Sequence, residues 1–255
     1  MPIAHPVSLL HRIGLVLGAG LLLAWSSQAA EVKVAVAANF AAPMKVIAQD
    51  FERETGHKVH LAFGATGTFH AQIKNGAPFD VLLAADEFTP SQLEKAGLAV
   101  AGSRQTYAVG RLVLWSPQAG LVDAKGEVLR SKSFKRLAVA NPKLAPYGAA
   151  ALQVLQGLGL SHQVALVEAA HIGQVFQFVD SGNAELGFLA MSQVFEQGRL
   201  RSGSAWVVPA RLHAPLRQDL VLLAHGRHNP AAQTLLKHLR SDKAKAVIQA
   251  FGYEL

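Results

Sequence analysis

The sequence predicts an α/β fold in two lobes, built on mostly parallel sheets with a cleft between them. Strand-like and helix-like apolar patterns alternate along most of the chain, as in successive β-α units. Phe79 to Ala85 is apolar except for Asp80, as expected of a strand buried on both faces of a parallel sheet. After Ser116-Pro117 the alternation begins again with different residues, so a second unit of the same kind follows the first. With 51% of residues apolar and 16% charged, the chain can bury a substantial core and lacks the composition of a disordered one.

Residues 1–29 read as an export signal. Arg12 supplies the positive charge, Ile13 to Trp25 the apolar stretch, and Ser26-Ser27-Gln28-Ala29-Ala30 the small-residue site, with cleavage expected after Ala29. The stretch falls short of the ~20 apolar residues that span a bilayer. Val32, Val34 and Val36 then make a strand. Met44, Ile47, Ala48 and Phe51 follow at helical spacing, with Pro43 in the first turn and Gly56 at the C-terminal stop. A second strand ends at Phe63, a short helix runs from Phe69 to Lys74, and Asp86 is placed to cap the helix after the buried strand. Tyr107 to Trp115 reads as one strand. Leu137 to Ala140 is the next, followed by a helix to about Leu158, a short strand at Val164 to Val167, a helix from Ile172 to Val179 and a strand at Leu186 to Leu189. Leu220 to Leu223 is the last strand, and Ser241 caps a helix from Lys243 to Phe251. The chain is expected to cross between lobes near Tyr107 and return near Pro209. Residues 30–106 and 210–255 then form the first lobe and residues 107–209 the second.

The chain has no cysteine, which in an oxidising compartment excludes disulfides and a lipidated cysteine and leaves the fold to packing. Its formal charge of +7 is not gathered into an arginine-rich or aromatic-basic run, so nucleic acid is not expected as a partner. An exported hydrolase would need a nucleophile, yet there is no G-x-S-x-G elbow. An interaction module with an upstream helix-turn-helix is excluded because the export signal occupies that space. His57 and His60 have metal-like spacing, but at a strand entry residues three apart face opposite ways, and no metal is expected there or at His225 and His228.

Two strand-to-helix junctions carry the functional signal. One is Gly64-Ala65-Thr66-Gly67-Thr68, the other Ala37-Ala38-Asn39-Phe40. Bare amides, hydroxyls and an emerging helix N-terminus suit a bound anion, and no carboxylate interrupts either turn. Two such turns in succession point to a chain that holds an oxyanion without reacting with it. Taken singly, Thr66 and Asn39 serve equally well as helix N-caps, and Tyr147 as a packing aromatic.

The segments VAVAANFAAPM, FGATGTFHAQIKNGAPFDVLLAAD, NPKLAPYGAAALQVL and SGNAELGF follow in the order and spacing of a known family. Across nearly all of the chain beyond the signal, the sequence resembles the periplasmic molybdate-binding proteins, the ModA-type solute receptors of ABC transporters. That resemblance implies a two-lobed, type II "Venus-flytrap" receptor, monomeric and not an enzyme, that closes on molybdate or tungstate and delivers it to a membrane permease. It implies no cofactor and no metal beyond the ion's own molybdenum or tungsten. Sulfate or thiosulfate is the alternative cargo. Carried onto this chain, the ligand contacts are Ala38 through its amide, Asn39 through its side-chain NH2, Thr66 through its hydroxyl, Tyr147 through its amide alone or through amide and phenol together, and Ile172 through its amide. Some relatives have a tyrosine where this chain has Ala190, and Tyr147 and Asn39 are expected to supply the missing donor.

Overall fold

The structure, a computed structural model, describes residues 1, 29–131 and 133–255. The expected export signal lies almost wholly outside the described residues. The chain runs β1 (Glu31–Ala37), α1 (Ala41–Thr55), β2 (Lys58–Gly64), α2 (Thr66–Lys74), β3 (Val81–Leu83), α3 (Phe88–Lys95), β4 (Gln105–Gly110) and β5 (Leu112–Ser116). It continues through β6 (Leu137–Ala140), α4 (Pro146–Gly157), β7 (Leu166–Ala169), α5 (Ile172–Asp180), β8 (Leu186–Ala190) and α6 (Met191–Val194). A small hairpin, β9 (Phe195–Glu196) and β10 (Arg199–Leu200), precedes β11 (Ser204–Val207), β12 (Leu216–Leu222), α7 (Pro230–Leu239) and α8 (Asp242–Ala250).

Two five-stranded sheets organise the chain, in the orders β2-β1-β3-β12-β4 and β11-β5-β8-β6-β7. The parallel character expected of them holds for β2, β1 and β3 in the first and for β8, β6 and β7 in the second; the remaining pairings are antiparallel. The first sheet is covered on both faces. The period of two in β1 sends Val32, Val34 and Val36 against Met44, Ile47 and Phe51 of α1, while Ala35 packs with Phe69, Ile73 and Leu93 opposite. The second sheet has its own core around Leu114, Val139, Val154, Val175 and Phe188.

The single strand expected from Tyr107 to Trp115 is two strands in different sheets. β4 pairs with β12, β5 pairs with β8 and β11, and the chain passes from one sheet to the other at Arg111 rather than at Tyr107. Gly110 permits the passage: a Cβ there would overlap the phenol oxygen of Tyr147 and lie 2.5 Å from Nε2 of Gln218. Gly110→Ala should therefore overpack a buried contact and lower stability by ~1–3 kcal/mol in urea unfolding. An unchanged midpoint would show that these side chains have room to withdraw. Hydropathy did not reveal β11 or α7. β11 is only four residues long, and α7 begins at Pro230 behind an Asn229 side chain that accepts from the Ala231 N–H.

Candidate functional site

Four helical starts converge between the two sheets. A 3-10 turn, Ala38–Phe40, leads from β1 into α1; Thr66 opens α2, Pro146 opens α4 and Ile172 opens α5. The first N–H groups of a helix have no acceptor within it, and the aligned peptides make that end partly positive. Here these ends surround one small, half-open recess. Ala38, Asn39, Thr66, Tyr147 and Ile172 all line it, with Ala85, Ala145 and His171 among the neighbours the sequence had not singled out. No carboxylate is in the lining. An adjoining recess between the lobes is bordered by Asp86, Glu87 and Arg217, and its two carboxylates make it the poorer seat for a dianion.

Thr66 is not an N-cap. It is the first residue of α2, behind Ala65, and its Oγ1 accepts the Ala85 N–H at 2.9 Å. That bond occupies a lone pair and leaves the hydroxyl proton for donation. Ile172 is a buried aliphatic whose amide opens α5, as expected.

Two expectations about side chains need correction. The Asn39 NH2 is already committed, donating to Gln218 Oε1 at 2.8 Å and to the Tyr253 phenol at 3.1 Å. Both amide hydrogens are used inside the protein, which leaves the side chain none to give to the recess. The Tyr147 phenol likewise lies away from the recess, beside Gly110, where it accepts from Gln218 Nε2 at 3.2 Å. Burial pushes its pKa well above the usual tyrosine value, so the phenol stays neutral. Neither side chain replaces a donor missing at Ala190. That residue is fully buried, lies outside the lining, and gives its N–H to Gln193 Oε1 at 3.0 Å.

The layer beneath was invisible in the sequence. The Asn39 carbonyl accepts from Ser192 Oγ at 2.8 Å and from the Tyr253 phenol at 2.7 Å. Burial raises the Tyr253 phenol to about 12. These groups are scattered over distant segments, with no local spacing to signal that they meet.

His171 is the N-cap of α5, its Nδ1 accepting the Gln174 N–H at 3.3 Å. Partial burial lowers its pKa below the ordinary 6.5. The folded state therefore resists protonation: its contribution is complete above pH 6.5 and declines as pH falls below that value. His171→Asn keeps a cap that does not titrate. Its unfolding midpoint should fall less than that of the wild type between pH 7.5 and pH 5; parallel losses would assign the acid sensitivity elsewhere. Other polar motifs are structural. Asp86 accepts from the Thr89 N–H at 2.7 Å at the start of α3, His57 Nδ1 accepts the Ala30 N–H at 3.1 Å, and His60 pairs with Glu31 at 3.0 Å. His225 pairs with buried Asp80 at 2.9 Å.

Two sheet-based lobes that bring uncharged donors from helix starts to one small recess define a solute receptor. The chain belongs to the bacterial extracellular solute-binding proteins, whose family model matches residues 32–254. It is 60% identical over 248 residues to the molybdate-binding protein ModA of Azotobacter vinelandii, covering 96% of this chain and 98% of that protein. The ModA of Rhodobacter capsulatus is 46% identical over 233 residues, 91% of each chain. Among solved structures, a periplasmic molybdate-binding protein of Azotobacter vinelandii superposes with a TM-score of 0.85 at 40% identity, over 88% of this chain and 99% of that one. The resemblance read from the NGAPFDVLLAAD and NPKLAPYG segments is borne out at the level of the family.

Proposed function

We propose that this protein is a periplasmic receptor that captures molybdate or tungstate between its lobes and delivers it to the permease of an ABC transporter. It acts as a monomer, performs no chemistry on the ion and needs no cofactor. The observation that carries the reading is the recess itself: first-turn amides from both lobes plus the Thr66 hydroxyl, with no carboxylate in the lining. Fully deprotonated tetrahedral dianions only accept hydrogen bonds, so a donor-only lining suits them. Each such bond to a charged acceptor is worth ~1.5–3 kcal/mol. A phosphate species that keeps a proton would face donors without an acceptor for it, and is disfavoured. The names borne by the relatives at 60% and 46% identity support molybdate over other oxyanions. Binding closes the lobes by a hinge motion about the two sheet-to-sheet connections, at Arg111 and between β11 and β12. Among the described residues no helix is long and apolar enough to cross a membrane.

Native mass spectrometry of the protein exposed to equal concentrations of molybdate, tungstate and sulfate tests this reading. A single molybdate or tungstate adduct per chain is expected. A dominant sulfate adduct would reassign the cargo, and no oxyanion adduct at all would end the proposal.

A further inference from the structure

We propose that Gln218 is a positioning residue that ties the anion donors of both lobes into one frame, and thereby sets the size of oxyanion the closed site accepts. The inference rests on the oxyanion reading above and deepens it. Gln218 is wholly buried on β12, opposite an irregularity where β4 carries one extra residue, Tyr107. Such a bulge re-aims side chains that a regular ladder would point elsewhere. Its two amide ends face two lobes. Oε1 accepts from Asn39 Nδ2 at 2.8 Å, and Nε2 donates to the Tyr147 phenol at 3.2 Å. Asn39 lies at the entry to α1 and Tyr147 in the first turn of α4, and both line the recess at helix starts, where backbone N–H groups lack partners within the helix.

A third contact leads toward Thr66. The Tyr107 phenol stands within bonding distance of Gln218 Oε1, at 3.0 Å, and of the Ala84 carbonyl, at 2.9 Å, and its single proton serves one of them at a time. The same peptide unit, through its Ala85 N–H, holds the Thr66 hydroxyl. Two donor positions, one from each lobe, therefore bond to one primary amide that does not itself line the recess, and the Tyr107 phenol places Thr66 close to it. Only a neutral group with an acceptor at one end and a donor at the other completes this arrangement; a carboxylate would lose the donor and bury a charge below a dianion. Dianions of equal charge differ mainly in size, so a fixed separation between the Asn39 and Tyr147 peptides is what distinguishes them.

Gln218→Met keeps the length and removes both polar ends. The test measures dissociation constants for molybdate and sulfate by calorimetry, with ligand-free melting in parallel. Molybdate affinity is expected to fall by roughly tenfold or more, and the molybdate-to-sulfate ratio to move toward one. An unchanged ratio would overturn the inference, whether affinity is retained or both ions weaken equally alongside a lower melting temperature. If Gln218→Met does not fold, Tyr147→Phe alone gives the same readout, since it cuts one arm of the frame. Wild-type protein that binds neither ion would instead remove the oxyanion reading, and this inference with it.

Discussion

Thr66→Ala is expected to weaken molybdate binding about 10- to 150-fold, the equivalent of the ~1.5–3 kcal/mol carried by a hydrogen bond to a charged acceptor. The hydroxyl is placed for this by its neighbour. With the Ala85 N–H bound to Oγ1 at 2.9 Å, the rotor is held and its proton is available for donation. Truncation also leaves the Ala85 N–H without its partner in a buried setting, which costs ~1–3 kcal/mol of folding stability unless water enters. The two losses separate experimentally. Thr66→Ser restores both bonds and should recover affinity and melting temperature together. Thr66→Val keeps the shape without the hydroxyl and should match alanine in affinity. Calorimetry that finds Thr66→Ala binding as tightly as wild type would place the ion elsewhere.

The sequence disclosed the fold to the extent that its elements are locally encoded. α1 is legible because its apolar stripe, Pro43 and Gly56 agree, and Gly56 does adopt the left-handed conformation at φ 74°. The junction at Gly110 was not, because Leu112 to Trp115 continue the apolar run of β4 and only the packing of Tyr147 and Gln218 reveals why the chain changes sheet. The site shows the same division. Helix starts at Asn39, Thr66, Tyr147 and Ile172 can be read from turn chemistry and resemblance, and the structure gathers them around one recess. What Asn39 and Tyr147 do with their side chains could not be read. Their partner, Gln218, lies 179 residues from one and 71 from the other, and a lone glutamine in a strand carries no local signal.

Gly67→Val should leave the ligand-free protein as stable as wild type and weaken oxyanion binding on the order of 100-fold, since overpacking of ~1–3 kcal/mol would fall on the closed state alone. Gly67 stands beside Thr66 in the first turn of α2, and its N–H donates to the Leu144 carbonyl at 2.8 Å. Leu144 lies just ahead of α4, so this bond joins the lobes next to the recess. A Cβ on residue 67 would sit 3.0 Å from the Leu144 Cα and 3.1 Å from its carbonyl oxygen. The obstacle is main chain, which cannot rotate aside as a flexible side chain can. Valine brings two further methyls, so the lobes would stop short of the separation at which donors from both sides reach one ion. If the lobes stand apart before capture, this contact is missing there, and a perturbation confined to one state shifts the equilibrium by its full magnitude. Stopped-flow measurements should locate the change mainly in a faster release rate, because encounter takes place before the lobes meet. Equal affinity for Gly67→Val and wild type would mean that capture does not require the approach of α2 to the loop before α4, and the closed-cleft account of binding would have to be abandoned.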